Sequence, residues 1–411
     1  MRNTRGTHVL VLNTGSSSVK YRLLDMADGS RPAGGLVERI GERTSYLRHD
    51  PAGGPRRERE EPVADHATAL EALAEELERD GLGLDSPELV AIGHRVVHGG
   101  RRFTEPTVID EAVTAEIERL VPVAPLHNPA NLAGIRTALS LAPDVPQVAV
   151  FDTAFHTTMP EHAARYAIDT AVADEHRVRR YGFHGTSHAY VSRGAAELLG
   201  REPSETNVIV LHLGNGASAS AVAGGRCVDT SMGLTPLEGL VMGTRSGDID
   251  PAVVFHLSRV AGMSVDEIDE LLNRRSGLLG LCGDNDMREV LRRMDSDGPD
   301  AESARLAFDV YVHRLRKYVG AYCAVLGRVD AVAFTAGIGE NAAPVRQAVM
   351  AGLRGLGMAV DPELNGAPGD GPRLISPPGS RVAVAVVPTD EELEIATQTY
   401  ELVSGGTMGR K

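Results

Sequence analysis

The chain has 411 residues, 42% hydrophobic and 24% charged, ordinary proportions for a folded protein of two or three domains with a sizeable core. Its 42 basic and 56 acidic residues leave a net charge of −14, which argues against nucleic acid or an anionic membrane as default partner and means that an anionic substrate needs a local basic site. Cys227, Cys282 and Cys323 form no Cys-x-x-Cys pair, and too few apolar residues follow Arg2 and Arg5 for a signal peptide or membrane span, so the expected protein is cytoplasmic, in a reducing compartment, without a zinc ribbon or disulfide framework.

The run Val9–Leu12 reads as a buried strand entering the turn Asn13-Thr-Gly-Ser-Ser-Ser-Val-Lys20, and Val19 to Leu24 as a second strand, so the pair is a hairpin. Small residues let backbone N–H groups approach phosphate oxygens, and Ser hydroxyls and Lys20, one of only three lysines, add donors and charge. Nothing fits Gly-x4-Gly-Lys-Ser/Thr, which removes the signature of a Walker P-loop. Residues 48–62, rich in Pro, Gly and alternating charge, are expected to be an exposed loop. Asp65 then caps an amphipathic helix with Ala67, Leu70, Leu73, Ala74 and Leu77 on one face, stopped near Gly81. At Val208 the opening repeats: Val9, Val11, Leu12 and Gly15 match Val208, Val210, Leu211 and Gly214, before the turn Leu213-Gly-Asn-Gly216. Helical spacing links Phe308, Val312, Leu315, Val319 and Tyr322, and Val329 to Phe334 is a strand ending in Thr335-Ala-Gly-Ile-Gly-Glu-Asn341. A helix follows from near Pro344, residues 361–380 read as loop, and Arg381 to Val387 is a last strand before Pro388-Thr389-Asp390-Glu391. The expected class is α/β, with two related domains and a nucleotide cleft between them.

In order along the chain stand Asn13-Thr-Gly-Ser-Ser-Ser-Val-Lys20, His94-Arg-Val-Val-His-Gly-Gly100, Ala124-Pro-Leu-His-Asn-Pro129, Phe151-Asp-Thr-Ala-Phe-His156, Gly182-Phe-His-Gly-Thr-Ser-His188, Gly243-Thr-Arg-Ser-Gly-Asp-Ile-Asp-Pro251 and Thr335-Ala-Gly-Ile-Gly-Glu-Asn341. Through them the chain resembles the acetate kinase family, of the actin-like phosphotransferase superfamily, which also holds sugar kinases and heat-shock chaperones. The resemblance implies two actin-like (ribonuclease H-like) domains: residues 1–152 with a terminal helix 391–404 on the acceptor side, and 153–390 binding nucleotide. It also implies reversible transfer of the ATP γ-phosphoryl to acetate with Mg²⁺, for which Mn²⁺ can substitute, and a homodimer. A propionate-preferring relative is the near alternative. An actin- or chaperone-like ATPase switch is the alternative of another class, and it would leave Arg95, Arg245 and His184 idle.

A carboxylate acceptor is already ionised at neutral pH, so such a site must bring two anions together rather than generate a nucleophile. Arginine stays charged and offers a planar fork to carboxylate or phosphate. By the resemblance Arg95 binds the acceptor carboxylate, although an arginine in so apolar a run also suits a structural ion pair; if it serves the acceptor alone, Arg95→Ala abolishes transfer with little loss of stability. Arg245 and His184 are implied to stabilise the transition state. His188 is four residues on, but Gly185 and Thr186 favour a turn over a zinc-binding helix, so His188 is read as structural. Asp152 is the implied catalytic carboxylate; acetate has no proton to remove, so orienting the metal shell or Arg245 fits it better, and a helix N-cap is the bland alternative. Val97, Leu126, Phe183 and Pro236 are the implied acyl pocket, His127 a further residue near the acceptor, and Asn13 and Glu391 the metal residues, Glu391 also suiting a helix start. For ATP the family match assigns Lys20, His212, Leu213, Gly214, Asn215, Gly216, Asp286, Met287, Arg288, Gly337, Ile338, Gly339, Glu340 and Asn341. Gly337 to Ala342 also satisfies Gly-x-Gly-x-x-Ala, with Asp361 at roughly the ribose-acid distance, but the rest of a dinucleotide fold is missing. Leu281-Cys-Gly-Asp-Asn, where the family tends to have serines, and Thr14, where Ala is common, are the local departures.

Overall fold

A computed structural model of the chain describes residues 6–125 and 127–405. It divides into two compact units, one built from residues through Phe155 together with those from Asp390 onward, the other from His156–Thr389. Among the described residues no helix is long and apolar enough to cross a membrane.

The first unit holds strands β1 (His8–Thr14), β2 (Ser18–Asp25), β3 (Ala33–Glu38), β4 (Ser45–Pro51), β5 (Arg57–Glu61), β6 (Leu89–Val96), β7 (Thr107–Val108) and β8 (Gln147–Phe151), in the sheet order β5-β4-β3-β2-β1-β6-β8-β7. The hairpin forms as its alternation requires: β1 and β2 pair antiparallel with Asn13 opposite Lys20. β6 then lies parallel to β1, and β8 parallel to β6. Helix α1 (His66–Arg79) is capped by Asp65, whose carboxylate accepts from the Thr68 amide, and it buries Leu70, Leu73 and Leu77 against the sheet. Each such leucine contributes about 2 kcal/mol of transfer free energy. Helix α2 (Asn128–Leu141) packs on the same sheet. The helix Glu391–Ser404 places Ile395 and Ala396 on Val9, Val11, Val148 and Val150. A Cβ at Gly93 would lie 2.5 Å from Thr399 Oγ1, so a glycine at that point of β6 is what lets this helix seat.

The expected loop over 48–62 instead carries the end of β4 and all of β5. Arg57-Glu-Arg-Glu-Glu61 alternates with period two, and its inward residues are charged because their counterparts are too: Arg57 and Arg59 both reach the buried Glu76 carboxylate of α1, at 2.7 and 2.5 Å. Polarity masked a strand whose core side is an ion-pair network.

The second unit holds β9 (Asn207–Leu213), β10 (Ala217–Ala223), β11 (Arg226–Thr230), β12 (Ala331–Thr335), β13 (Arg373–Leu374) and β14 (Ala383–Val386), ordered β11-β10-β9-β12-β14-β13. Position for position this is β3-β2-β1-β6-β8-β7, with every parallel and antiparallel pairing conserved between the sheets. The sequence echo at Val9 and Val208 therefore marks the central strand of each copy. β9 and β12 are buried almost throughout, as parallel neighbours covered on both faces must be. The helices of this unit include α3 (Gly185–Leu198), α4 (Ala252–Ala261), α5 (Met287–Met294), α6 (Pro299–Leu326), α7 (Ala336–Asn341) and α8 (Ala343–Ala351). Phe308, Val312, Leu315, Val319 and Tyr322 fall inside α6 and are buried. The expected loop 361–380 also holds the short helix Pro362–Gly366 and β13; the helix starts at Asp361, whose carboxylate accepts from the amides of Glu363 and Leu364.

Candidate active site

In the first unit, the parallel register pairs Arg95 with Val150 and Val96 with Phe151, so that Asp152, one residue past β8, comes beside Arg95. Arg95 Nε donates to both Asp152 oxygens at 3.1 Å and Nη2 donates to Oδ2 at 2.8 Å. The carboxylate is 1% exposed, so this is a desolvated bidentate pair. Glu391 Oε2 lies 3.4 Å from Arg95 Nη1. Burial alone would lower the guanidinium pKa, but Asp152 and Glu391 hold it above its ordinary value. Glu391 opens a helix whose cap is Asp390, accepting from the Leu393 amide at 3.0 Å, so the capping role is met by its neighbour and the Glu391 carboxylate is left for Arg95.

Asn13, next to last in β1, lies opposite Lys20, and the Lys20 ammonium is paired with Glu392, a residue sequence reasoning passed over. Burial pushes the Glu392 carboxyl up, yet Lys20 and Arg22 together hold it below the usual range. The Val97 amide donates to Asn131 of α2 at 3.1 Å. His127 stands at the head of α2, and Leu126 lies outside the described residues.

The second unit builds its site around His184. The turn expected from Gly185 and Thr186 is instead the first turn of α3: His184 itself is the N-cap, at φ 57°, and His188 sits on the helix one turn on. A glycine at the first helical position carries no Cβ to conflict with so abrupt an entry. His156 fixes the approach. Its Nε2 donates to the Phe183 carbonyl at 2.9 Å, and desolvation lowers its pKa to about 4, so the ring is neutral. The His184 ring stacks on His212 at 4.2 Å, and His212 Nδ1 is 2.8 Å from the Ser187 hydroxyl. The Ser218 hydroxyl contacts His184 Nδ1 at 3.0 Å and His188 Nε2 at 2.7 Å.

Arg245 reaches the same place. A Cβ built on Gly216 would lie 3.5 Å from Arg245 Nη1 and 3.7 Å from His184 Nε2, so both donors border the turn after β9. Arg245 Nη1 donates to the Pro236 carbonyl at 3.4 Å, and among the described residues no carboxylate pairs with it. Desolvation consequently lowers its pKa. The contrast with Arg95 is chemical: Arg95 is paired with two carboxylates, and Arg245 with none among the described residues. Phe183 is buried and Pro236 half-buried beside these groups.

A cavity of about 800 Å³ opens next to this turn, and of the expected nucleotide residues Gly214, Asn215, Asp286, Met287, Arg288, Gly337, Ile338 and Asn341 line it. Asn285, Leu291, Ala342 and Pro344 line it too and were not anticipated. Glu340 does other work: its Oε1 accepts from the Ala336 amide at 2.8 Å and the Thr389 amide at 3.3 Å, tying the start of α7 to the strand-end loop. Gly339 is buried beneath, with the Phe334 carbonyl carbon 3.4 Å from where a Cβ would sit. His212 and Leu213 belong to β9 behind the turn. Asp361 is the helix cap described above, which removes the ribose acid from the dinucleotide reading. Among the described residues no three His, Cys, Asp or Glu side chains gather as metal ligands.

Residues 8–397 match the model of the acetokinase family. The chain is 77% identical to the acetate kinase of Streptomyces coelicolor over 399 residues, 97% of each chain. The crystal structure of Porphyromonas gingivalis acetate kinase superposes with a TM-score of 0.91 at 44% identity, covering 97% of this chain and 100% of that one. A propionate kinase from Francisella tularensis superposes with 0.90 at 42% identity, covering 96% and 99%. Two copies of one α/β sheet order, donors converging on a Gly-rich turn, and a match along nearly the whole length place the chain in a single group: it belongs to the acetokinase family.

Proposed function

We propose that the chain is an acetate kinase, transferring the γ-phosphoryl group of ATP to acetate and back. The observation that carries the reading is Arg245, half-buried beside His184 and the Gly216 turn with no carboxylate partner among the described residues. Identity of 77% to a curated acetate kinase supports the acceptor.

In this reading the acetate carboxylate oxygen attacks the γ-phosphorus, the bond from phosphorus to the β,γ-bridging oxygen breaks, and ADP leaves with its electron pair. No proton moves, and catalysis consists of positioning and of donors placed where negative charge develops. To acetate we assign Arg95, Val97, Leu126 and His127 of the first unit and Phe183 and Pro236 of the second. Arg245 and His184 meet the equatorial phosphoryl oxygens. Asp152 orients Arg95 through its bidentate contact, which suits a group with no proton to accept. The 800 Å³ cavity takes the nucleotide, and Lys20 adds charge for its phosphates. Asn13 and Glu391, with Asp152, offer the hard oxygen donors that would hold Mg²⁺, and the ion would supply positive charge against that of the phosphates. Mn²⁺ takes the same ligands.

Purified protein with Mg-ATP, acetate and hydroxylamine is expected to accumulate acetyl hydroxamate, and no product would sink the assignment. The near-equal superposition on a propionate kinase favours a second reading, propionate as acceptor. A methylene is worth only about 1–3 kcal/mol in an apolar pocket, so kcat/KM for acetate, propionate and butyrate separates the two. The three free thiols, none of them paired, support a cytoplasmic enzyme. We also read the protein as a homodimer. No residue of the apolar helix α4 is buried, and Val253, Phe255 and Val260 are 37%, 57% and 72% exposed around it, apolar surface suited to a second copy.

A further inference from the structure

Ser218 lies fully buried on β10 with its hydroxyl between two imidazoles, 3.0 Å from His184 Nδ1 and 2.7 Å from His188 Nε2. A serine hydroxyl has one proton, so it donates to one ring and accepts from the other. His188 decides the direction. Its ring is fully buried, desolvation, reinforced by His156 and His212, drives its pKa well down, and its Nδ1 has no hydrogen-bond partner among the described residues. A neutral imidazole carries its proton on one nitrogen only. On Nδ1 that proton would be a buried donor without an acceptor; on Nε2 it donates to Ser218 Oγ. The Ser218 proton is then committed to His184 Nδ1, and His184 carries its own proton on Nε2, the nitrogen that borders Gly216 and Arg245.

We propose that Ser218 and His188 are positioning residues which fix His184 as the Nε2–H tautomer, so that it presents a donor to the transferred phosphoryl group; this rests on the reading of the reaction given above. Three contacts share the task. The His156 bond to the Phe183 carbonyl holds the backbone at φ 57°, the His212 ring holds the imidazole plane, and Ser218 forbids the half-turn about Cβ–Cγ that would exchange Nδ1 for carbon. Without the hydroxyl, the ring populates both tautomers and both flips, and the nitrogen facing the phosphoryl is a donor only part of the time.

Imidazole ¹⁵N NMR of the full chain, with the His184 signals identified by their loss in His184→Asn, should show Nε2 protonated and Nδ1 bare in the native protein. Ser218→Ala should mix the two forms and lower kcat by about 10²-fold, with KM for ATP and acetate within about twofold, measured well below each unfolding midpoint. His188→Gln keeps an amide donor near the old Nε2 and should recover most of the rate, whereas His188→Leu should fall as far as Ser218→Ala. A native His184 protonated on Nδ1, or a Ser218→Ala protein with native kcat, overturns the proposal. A native chain that makes no acetyl phosphate overturns the functional reading instead, and the ¹⁵N spectrum still decides the tautomer.

Discussion

Arg95 and Arg245 read alike in the sequence, each an arginine close to paired or near-paired glycines, and the structure gives them opposite electrostatics. Replacing Arg245 by Ala removes a cation that pairs with no described carboxylate. Its unfolding midpoint should therefore stay level or rise, while kcat falls by about 10³-fold or more. Replacing Arg95 by Ala strands a 1% exposed carboxylate, which alters the expectation of unchanged stability: about 3–5 kcal/mol should be lost along with activity. The double variant Arg95→Ala/Asp152→Asn should regain much of that stability in urea titrations and none of the activity; a double variant as unstable as the single would show that Asp152 is not the source of the loss. The candidate arginines and His184 were legible because their motifs carry them. The partnerships were not. That Asp152 meets Arg95, that Glu392 meets Lys20 and that Ser218 joins two histidines depends on parallel strand register and helix docking, which no local pattern encodes.

At the scale of elements, apolar periodicity located β1, β2, α1, α6 and β12 because each has one face or both against a core. It failed for β5, whose inward residues are arginines satisfied by Glu76, and for the start of α3, where the left-handed cap at His184 makes a Gly-Thr pair look like a turn. The Gly-rich turns deserve their glycines for steric reasons that can be tested. A Cβ at Gly243 would fall 1.8 Å from Asn215 Oδ1, the movable end of a side chain lining the nucleotide cavity. Gly243→Ala should thus cost little stability but turn Asn215 aside, raising KM for ATP by roughly tenfold with KM for acetate nearly unchanged. An unaltered KM for ATP would detach Asn215 from nucleotide binding.

For the whole molecule, buried imidazoles set an acid limit, His188 and three others among them. His94, His98 and His156 each have their pKa lowered to about 4, chiefly by desolvation. Below the unfolded value near 6.5 the unfolded chain binds protons that the folded rings refuse, so their contribution is full above that pH and drains away as pH falls toward 4. Each ring is worth on the order of 3 kcal/mol at most. Asp80, held below its usual value first by its bond from Arg57, acts only in more acidic solution, since its contribution is lost below about pH 4. The urea midpoint should already decline by pH 5.5; a midpoint flat down to pH 4.5 would contradict the neutral buried rings. Sedimentation tests the α4 face: Val260→Glu with Phe255→Glu should give a monomer if a second copy covers that helix, and an unchanged sedimentation coefficient would place the partner elsewhere.

The two sheets share one plan, but the chain writes them differently. Every strand of the second is contained in His156–Thr389, whereas the first waits for the helix that begins at Glu391 before Val9, Val11, Val148 and Val150 are covered by Ile395 and Ala396. A ribosome therefore finishes the second unit while the first still shows an apolar strip, and the earliest-made segment is the last to mature. A chain stopped after Thr389 should yield a protease-resistant fragment spanning residues 156–389 and a degraded amino-terminal part; equal survival of both would mean that the late helix is dispensable. In the cell, that strip is where a chaperone would have its longest opportunity to bind.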